Sequence, residues 1–154
     1  GFNPEGKVSG NVKAIYPGEE ILVDKIKIEA VPAYNIDDKS PHPKHNKWVG
    51  FIISIDGISI YHSGDTDLIP EMNNFNPDIA ILPISGTYLM NVKEAIEATK
   101  IIKPKFVIPM HYDPKLSKYY KIFPGVGIMN DAKEFCRGVE SFCEPILKEQ
   151  FIIN

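Results

Sequence analysis

The sequence predicts an α/β fold built on a mixed sheet with flanking helices, and three observations carry that prediction. First, Ile58-Ser59-Ile60-Tyr61-His62 alternates as a strand and runs into Ser63-Gly64-Asp65, so a carboxylate lies at a strand end. Second, Phe106-Val107-Ile108-Pro109-Met110 leads in the same way to His111. Third, the apolar run 79–84, a capped helical stretch from Asn91 and the run 106–110 form a strand–helix–strand unit. Such a unit is expected to be a right-handed parallel crossover. The 154 residues suit a single domain, 1–154.

Each element follows from local chemistry. Residues 1–18 show little periodicity, although Val8, Val12 and Ile15 leave room for one or two short strands. Over 21–33, Ile26, Ile28 and Ala30 alternate with Lys25, Lys27 and Glu29, the pattern of a strand with one wet face. Residues 34–47 make a long polar loop carrying Pro41, His42, Pro43 and His45. A loop of that length inside a compact domain is usually functional. Asp56-Gly57 between the runs 49–55 and 58–62 is a two-residue hairpin signal.

A short helical segment is expected over 69–74, with Pro70 in its first turn. Asn91 and Glu94 form a capping-box pair, and Val92, Ala95, Ile96, Thr99 and Ile102 give the helix one apolar face. Pro104 stops it. The stretch 114–127 is irregular and aromatic. A second helix starts at Asn130 or Asp131 and reaches about Phe142, and a final strand is expected over 151–153.

Composition excludes some function classes. With 44% hydrophobic and 24% charged residues and a formal charge of −3, the chain has neither the basic block of a nucleic-acid binder nor an apolar run long enough to span a membrane. Cys136 and Cys143, placed on one helix, stand about two turns apart, too far for a bridge. Reduced thiols in a cytoplasmic protein are the expectation.

The chemistry-bearing residues are few. Asp65 and His111, at the ends of two buried strands, are ordinary divalent-metal ligands, and they are the candidates for catalysis. Taken singly, a strand-end histidine is more often structural and a Gly-Asp pair is a common turn; the pairing reverses that reading. Thr66 and Asp67 are available to cap the turn, which leaves Asp65 to face a cleft. His42 is held between two prolines and is the preferred loop ligand, whereas His45 reads as solvated and His62 as packed or as supporting a ligand rather than binding metal itself. Ser85 and Tyr88, after the strand ending at Ile84, would line the same cleft, as would Tyr34 and Asn35 on the long loop.

A series of motifs adds to this reading. Val31-Pro32-Ala33-Tyr34-Asn35, His42-Pro43-Lys44, Trp48-Val49-Gly50-Phe51 and Tyr61-His62-Ser63-Gly64-Asp65-Thr66-Asp67 occur in that order. Leu82-Pro83-Ile84-Ser85-Gly86-Thr87-Tyr88 and Ile108-Pro109-Met110-His111-Tyr112 follow. Together they resemble the metallo-β-lactamase-fold metal-dependent hydrolases. The resemblance implies an αββα sandwich with a two-metal cleft, where Asp65 bridges the metals, His111 serves the second and His42 the first. It implies two divalent ions per complete site, zinc first, with manganese or iron as alternatives. A metal-activated hydroxide would then attack a small-molecule ester, amide, thioester or phosphodiester.

One departure matters. The family's His-x-His-x-Asp-His loop is missing, and no histidine precedes His42. The chain is therefore expected to be the C-terminal portion of such a fold. A missing N-terminal half, or self-association, would cover the sheet. Asp65, His42 and His111 offer each metal at most two ligands, short of the three usual at a catalytic site, so the chain alone should be poorly active. The alternative is a non-catalytic binding module or a degenerate relative. Gly64-Asp65-Thr66-Asp67 also resembles the acidic motif of haloacid-dehalogenase-type phosphatases, but the Asp-x-Asp pair those enzymes need early in the chain is absent.

Overall fold

The protein is described by a computed structural model covering residues 12–36, 41–113 and 127–145. Its main sheet has seven strands: β1 (Glu20–Val23), β2 (Ile26–Pro32), β3 (Val49–Ile55), β4 (Ile58–His62), β5 (Ile79–Pro83), β6 (Phe106–Met110) and β9 (Phe142–Cys143). They lie side by side in chain order, antiparallel from β1 to β4 and parallel from β4 to β9. Two short strands, β7 (Tyr112–Asp113) and β8 (Gly127–Ile128), pair separately. Helices α1 (Val92–Ile102) and α2 (Met129–Gly138) complete the α/β architecture.

Local chemistry explains the elements that were legible in sequence. Asp56-Gly57 turns β3 into β4, with both residues at positive φ. At the start of α1 the Asn91 side chain accepts from Glu94 N at 3.0 Å, and Glu94 returns the bond to Asn91 N at 2.8 Å. The helix buries Ala95, Ala98, Thr99 and Ile102, then ends with Lys103 in the left-handed region, just before Pro104.

Other expectations need correction. No strand forms over residues 12–19, and the run 21–33 is a hairpin that turns at Asp24-Lys25, with Asp24 at φ 53°. The segment 70–74 is 3-10 rather than α. The second helix stops at Gly138, so Cys143 lies not on it but on β9. That return brings the Cα atoms of Cys136 and Cys143 to 5.1 Å, and the two form a disulfide. The expectation of free thiols fails because its premise, a single helix through both, fails, and the argument for a reducing compartment lapses with it. The strand expected at 151–153 lies outside the described residues, as do 114–126 and 37–40 of the two loops.

Side chains alternate across the sheet. Tyr61, Ala80, Leu82 and Val107 face the helices and join Met72, Ala95, Ile102, Ala132 and Phe135 in a buried core. On the opposite face the register lines up Ile21, Ile28, Ile53, Ile60, Ile79, Phe106 and Phe142, one from each strand. None of the seven is buried, and Phe106 and Phe142 are 47% and 63% exposed. A sheet apolar on both faces needs a layer on each; the described helices supply one.

Two tests of stability follow from this packing. Tyr61 is fully buried against Phe75, and its hydroxyl has no partner among the described residues. Burial alone pushes its pKa up. A buried hydroxyl without a hydrogen bond costs about 1–3 kcal/mol, so Tyr61→Phe is expected to raise the urea midpoint. At the other end of the sheet Asp78 ties three strands together, accepting from Ser59 N and Oγ and from Lys105 Nζ. The Lys105 hydrogen bond, then those from Ser59, hold its pKa at about 2 against an ordinary 3.8. A depressed carboxyl stabilises the fold above its unfolded pKa and loses that contribution as pH falls through the folded one. Unfolding titrations of wild type and Asp78→Asn should therefore converge between pH 3.8 and about 2.

Candidate metal centre

β4 and β6 flank β5 and run parallel to it, so their carboxyl ends open on one edge of the sheet, where ligands of α/β proteins collect. Two strand spacings separate them, roughly 10 Å. The turn after His62 closes that gap by carrying Asp65 across the end of β5. Ser63 N donates to Ile81 O at 3.2 Å, which ties the turn to β5. Gly64 takes φ 63°, and a Cβ there would meet Val49 O at 2.9 Å. Gly50 permits the same approach from the other side, since its Cβ would stand 2.5 Å from Ser63 O. Only glycine fits at either position.

The two side chains meet. Asp65 Oδ1 lies 3.0 Å from His111 Nε2, with the side chains 46% and 39% exposed. His111 itself sits at φ 61°, uncommon for a residue with a side chain. Its carbonyl accepts from Gly127 N at 2.8 Å, and the β7–β8 pair follows at once. Backbone held in a sparsely populated region tends to mark a functional site.

The rest of the Gly-Asp-Thr turn is engaged elsewhere. Thr66 Oγ1 accepts from Tyr34 N at 3.1 Å, and Asp67 accepts from Asn35 Nδ2 at 2.8 Å and Ile36 N at 3.0 Å. These bonds fasten the loop after β2 to the turn after β4. Tyr34 and Asn35 are buried in this brace. The Tyr34 hydroxyl donates to Glu71 at 2.8 Å, and Lys44 pairs with the same carboxylate at 2.8 Å. Burial and then the Glu71 hydrogen bond raise the Tyr34 pKa. Burial would raise Glu71 too, but the bonds from Lys44 and Tyr34 outweigh it and lower its pKa.

The other candidates are dispersed. His42 is half-buried, its ring edge-on to Trp48 at 4.8 Å, and its carbonyl accepts from Asn35 N. Tyr88 is 55% exposed, and its carbonyl receives Asn35 Nδ2. Ser85 borders a cavity of about 360 Å³ with Asn91, Lys93, Asp131 and Glu134, a lining that includes neither Asp65 nor His111. His62, expected from the sequence to be packed or to support a ligand, accepts the Gly64 N–H at its Nδ1 at 3.1 Å, a specific partner that the sequence did not name. No periodicity reports such a bond; a histidine two residues before a turn glycine was the available signal.

The donor chemistry suits a divalent cation. Two neighbouring ligands, each about 2.0–2.2 Å from one ion, stand about 3–3.5 Å apart, and Asp65 and His111 meet that spacing. The number of donors falls short: among the described residues no group of three or more His, Cys, Asp or Glu side chains converges to hold a metal.

The model of the beta-lactamase superfamily domain matches residues 3–111. The chain belongs to that superfamily. Among superfamily relatives, a UPF0173 metal-dependent hydrolase of Methanoculleus marisnigri is 35% identical over 130 residues, 80% of this chain and 54% of the relative. A UPF0173 metal-dependent hydrolase of Pyrococcus furiosus is 40% identical over 96 residues, 59% of this chain and 42% of the relative. Among solved structures, Igni18, a metallo hydrolase from the archaeon Ignicoccus hospitalis, aligns at a TM-score of 0.67 and 30% identity. That alignment covers 87% of this chain and 57% of Igni18. The mixed sheet with its helices is thus a metallo-β-lactamase fold. The chain spans about half the length of the curated relatives it matches. No helix among the described residues is long and apolar enough to cross a membrane.

Proposed function

We propose that this chain contributes one portion of a metal-dependent hydrolase centre. In this reading Asp65 and His111 would hold one cation, and Asp65 and His42 would contribute to holding a second. The remaining ligands come from polypeptide outside this chain, an N-terminal half or a second copy. The observation that carries the reading is the 3.0 Å approach of Asp65 to His111 on the carboxyl edge of the sheet. Two further points support it: the relatives are named metal-dependent hydrolases, and the apolar row from Ile21 to Phe142 has the width of a second sheet layer. Zinc is the first choice of metal, with manganese or iron as alternatives.

Bound there, such cations would supply Lewis acidity and lower the pKa of a water to about 7. The chain's own residues fix the donors: the Gly64 turn aims the carboxylate, the left-handed His111 presents its Nε2, and the Thr66–Asp67 brace keeps the loop carrying His42 against that turn. The substrate class is a small-molecule ester, amide or phosphodiester.

A non-catalytic binding module draws support from the shortage of ligands among the described residues. One experiment separates the two readings. The full natural polypeptide is analysed for metal content and assayed with p-nitrophenyl esters and bis(p-nitrophenyl) phosphate. About two metals per site and chelator-sensitive turnover are expected; metal-free protein without turnover would establish the binding module.

A further inference from the structure

We infer that His62 is the positioning residue of this centre: its Nδ1 accepts the Gly64 N–H and thereby fixes the left-handed turn that aims Asp65 at His111. The functional consequence rests on the metal reading above; the geometry does not.

The bond has a specific form. A side-chain acceptor that takes the N–H two residues ahead closes the ring of an Asx-turn, a role filled elsewhere by Asn or Asp. The Gly64 N–H lies 3.1 Å from His62 Nδ1, so the imidazole stands where an Asn carboxamide oxygen would. Accepting at Nδ1 leaves the neutral ring protonated at Nε2.

The neighbouring groups of the turn are held by other means. Ser63 is fully buried, its N–H bound to Ile81 O and its Oγ donating to Gly64 O at 2.9 Å. Val49 O crowds the site where Gly64 would carry a Cβ. The Gly64 N–H is thus directed by one side chain, and it immediately precedes Asp65.

Packing does not explain a histidine at this position. Residue 62 lies on the open apolar face, two residues from Ile60 and in register with Phe51 and Ile81. An aliphatic side chain would suit those neighbours at least as well. What histidine adds is an acceptor.

The test uses His62→Leu and His62→Asn in the full natural polypeptide. Leucine keeps the apolar contacts and loses the acceptor; asparagine keeps the acceptor at the equivalent place. Both variants should melt close to wild type. Zinc affinity should fall about 10–100-fold in His62→Leu, the range for groups that orient metal ligands, and His62→Asn should recover most of it. Crystal structures should show Asp65 withdrawn from His111 in the leucine variant and retained in the asparagine variant. Imidazole 15N shifts of wild type should report Nε2 as the protonated nitrogen.

Unchanged zinc affinity in His62→Leu, an asparagine variant as impaired as the leucine one, or protonation at Nδ1 would overturn the proposal. Wild type that takes up no zinc would instead defeat the functional reading. In that case the two crystal structures and the 15N shifts still decide the role of His62.

Discussion

Asp65→Ala and His111→Ala are each expected to weaken zinc binding by the full polypeptide by more than about 100-fold, beyond the 10–100-fold typical of residues that only support a ligand. Each removes one of two donors that stand 3.0 Å apart at the carboxyl edge. Hydrolysis should fall with metal occupancy, and added zinc should restore it only in part. Stability should hardly move. The pair is nearly half exposed, and such pairs contribute about 0–1 kcal/mol. His111→Ala leaves a non-glycine residue at φ 61°, so it gains no relief of backbone strain, whereas His111→Gly would. Calorimetric zinc titration beside thermal melts separates the two quantities. Loss of metal binding with an unchanged melt is the expected pattern; an undiminished affinity would remove both residues from the centre.

The opposite pattern is expected for Phe135→Ala. Phe135 is fully buried where α2 packs on the core. Truncating a buried phenylalanine costs about 3–5 kcal/mol through lost transfer energy and the cavity left behind. For a domain of this size each kcal/mol moves the melting temperature by about 2–4 °C, so a fall of about 6–20 °C is expected. α2 also follows β8, which pairs with Tyr112-Asp113 directly after His111. Local opening of this region should therefore precede global unfolding. Amide exchange read at Gly127, whose N–H donates to His111 O, tests that order. A melt within about 2 °C of wild type, the shift expected for less than about 1 kcal/mol, would show that α2 is not anchored by this ring.

The contrast explains what the sequence could and could not disclose. The β3–β4 hairpin and α1 are legible because their signals are local: Asp56-Gly57 accepts positive φ, and Asn91 and Glu94 cap each other across three residues. The β1–β2 turn has no glycine, and Asp24 takes the left-handed conformation instead, so the run 21–33 reads as one strand. The end of α2 at Gly138 carried an ordinary stop signal, but the amphipathic spacing beyond it masked the stop, and the disulfide with it.

At the candidate site, the placement of Asp65 and His111 at strand ends is legible in the sequence, and the structure brings the two to 3.0 Å. The engagement of Tyr34 and Asn35 does not, because their partners Glu71 and Asp67 lie 37 and 32 residues away. The bond from Gly64 to His62 is local, yet histidine in a strand gives no pattern distinct from a packed residue.

The most direct test is anomalous diffraction from crystals of the full polypeptide grown with zinc. The account predicts a zinc peak within bonding distance, about 2.0–2.2 Å, of both the Asp65 carboxylate and His111 Nε2. Zinc bound only elsewhere, with Asp65 and His111 on no ion, would contradict it.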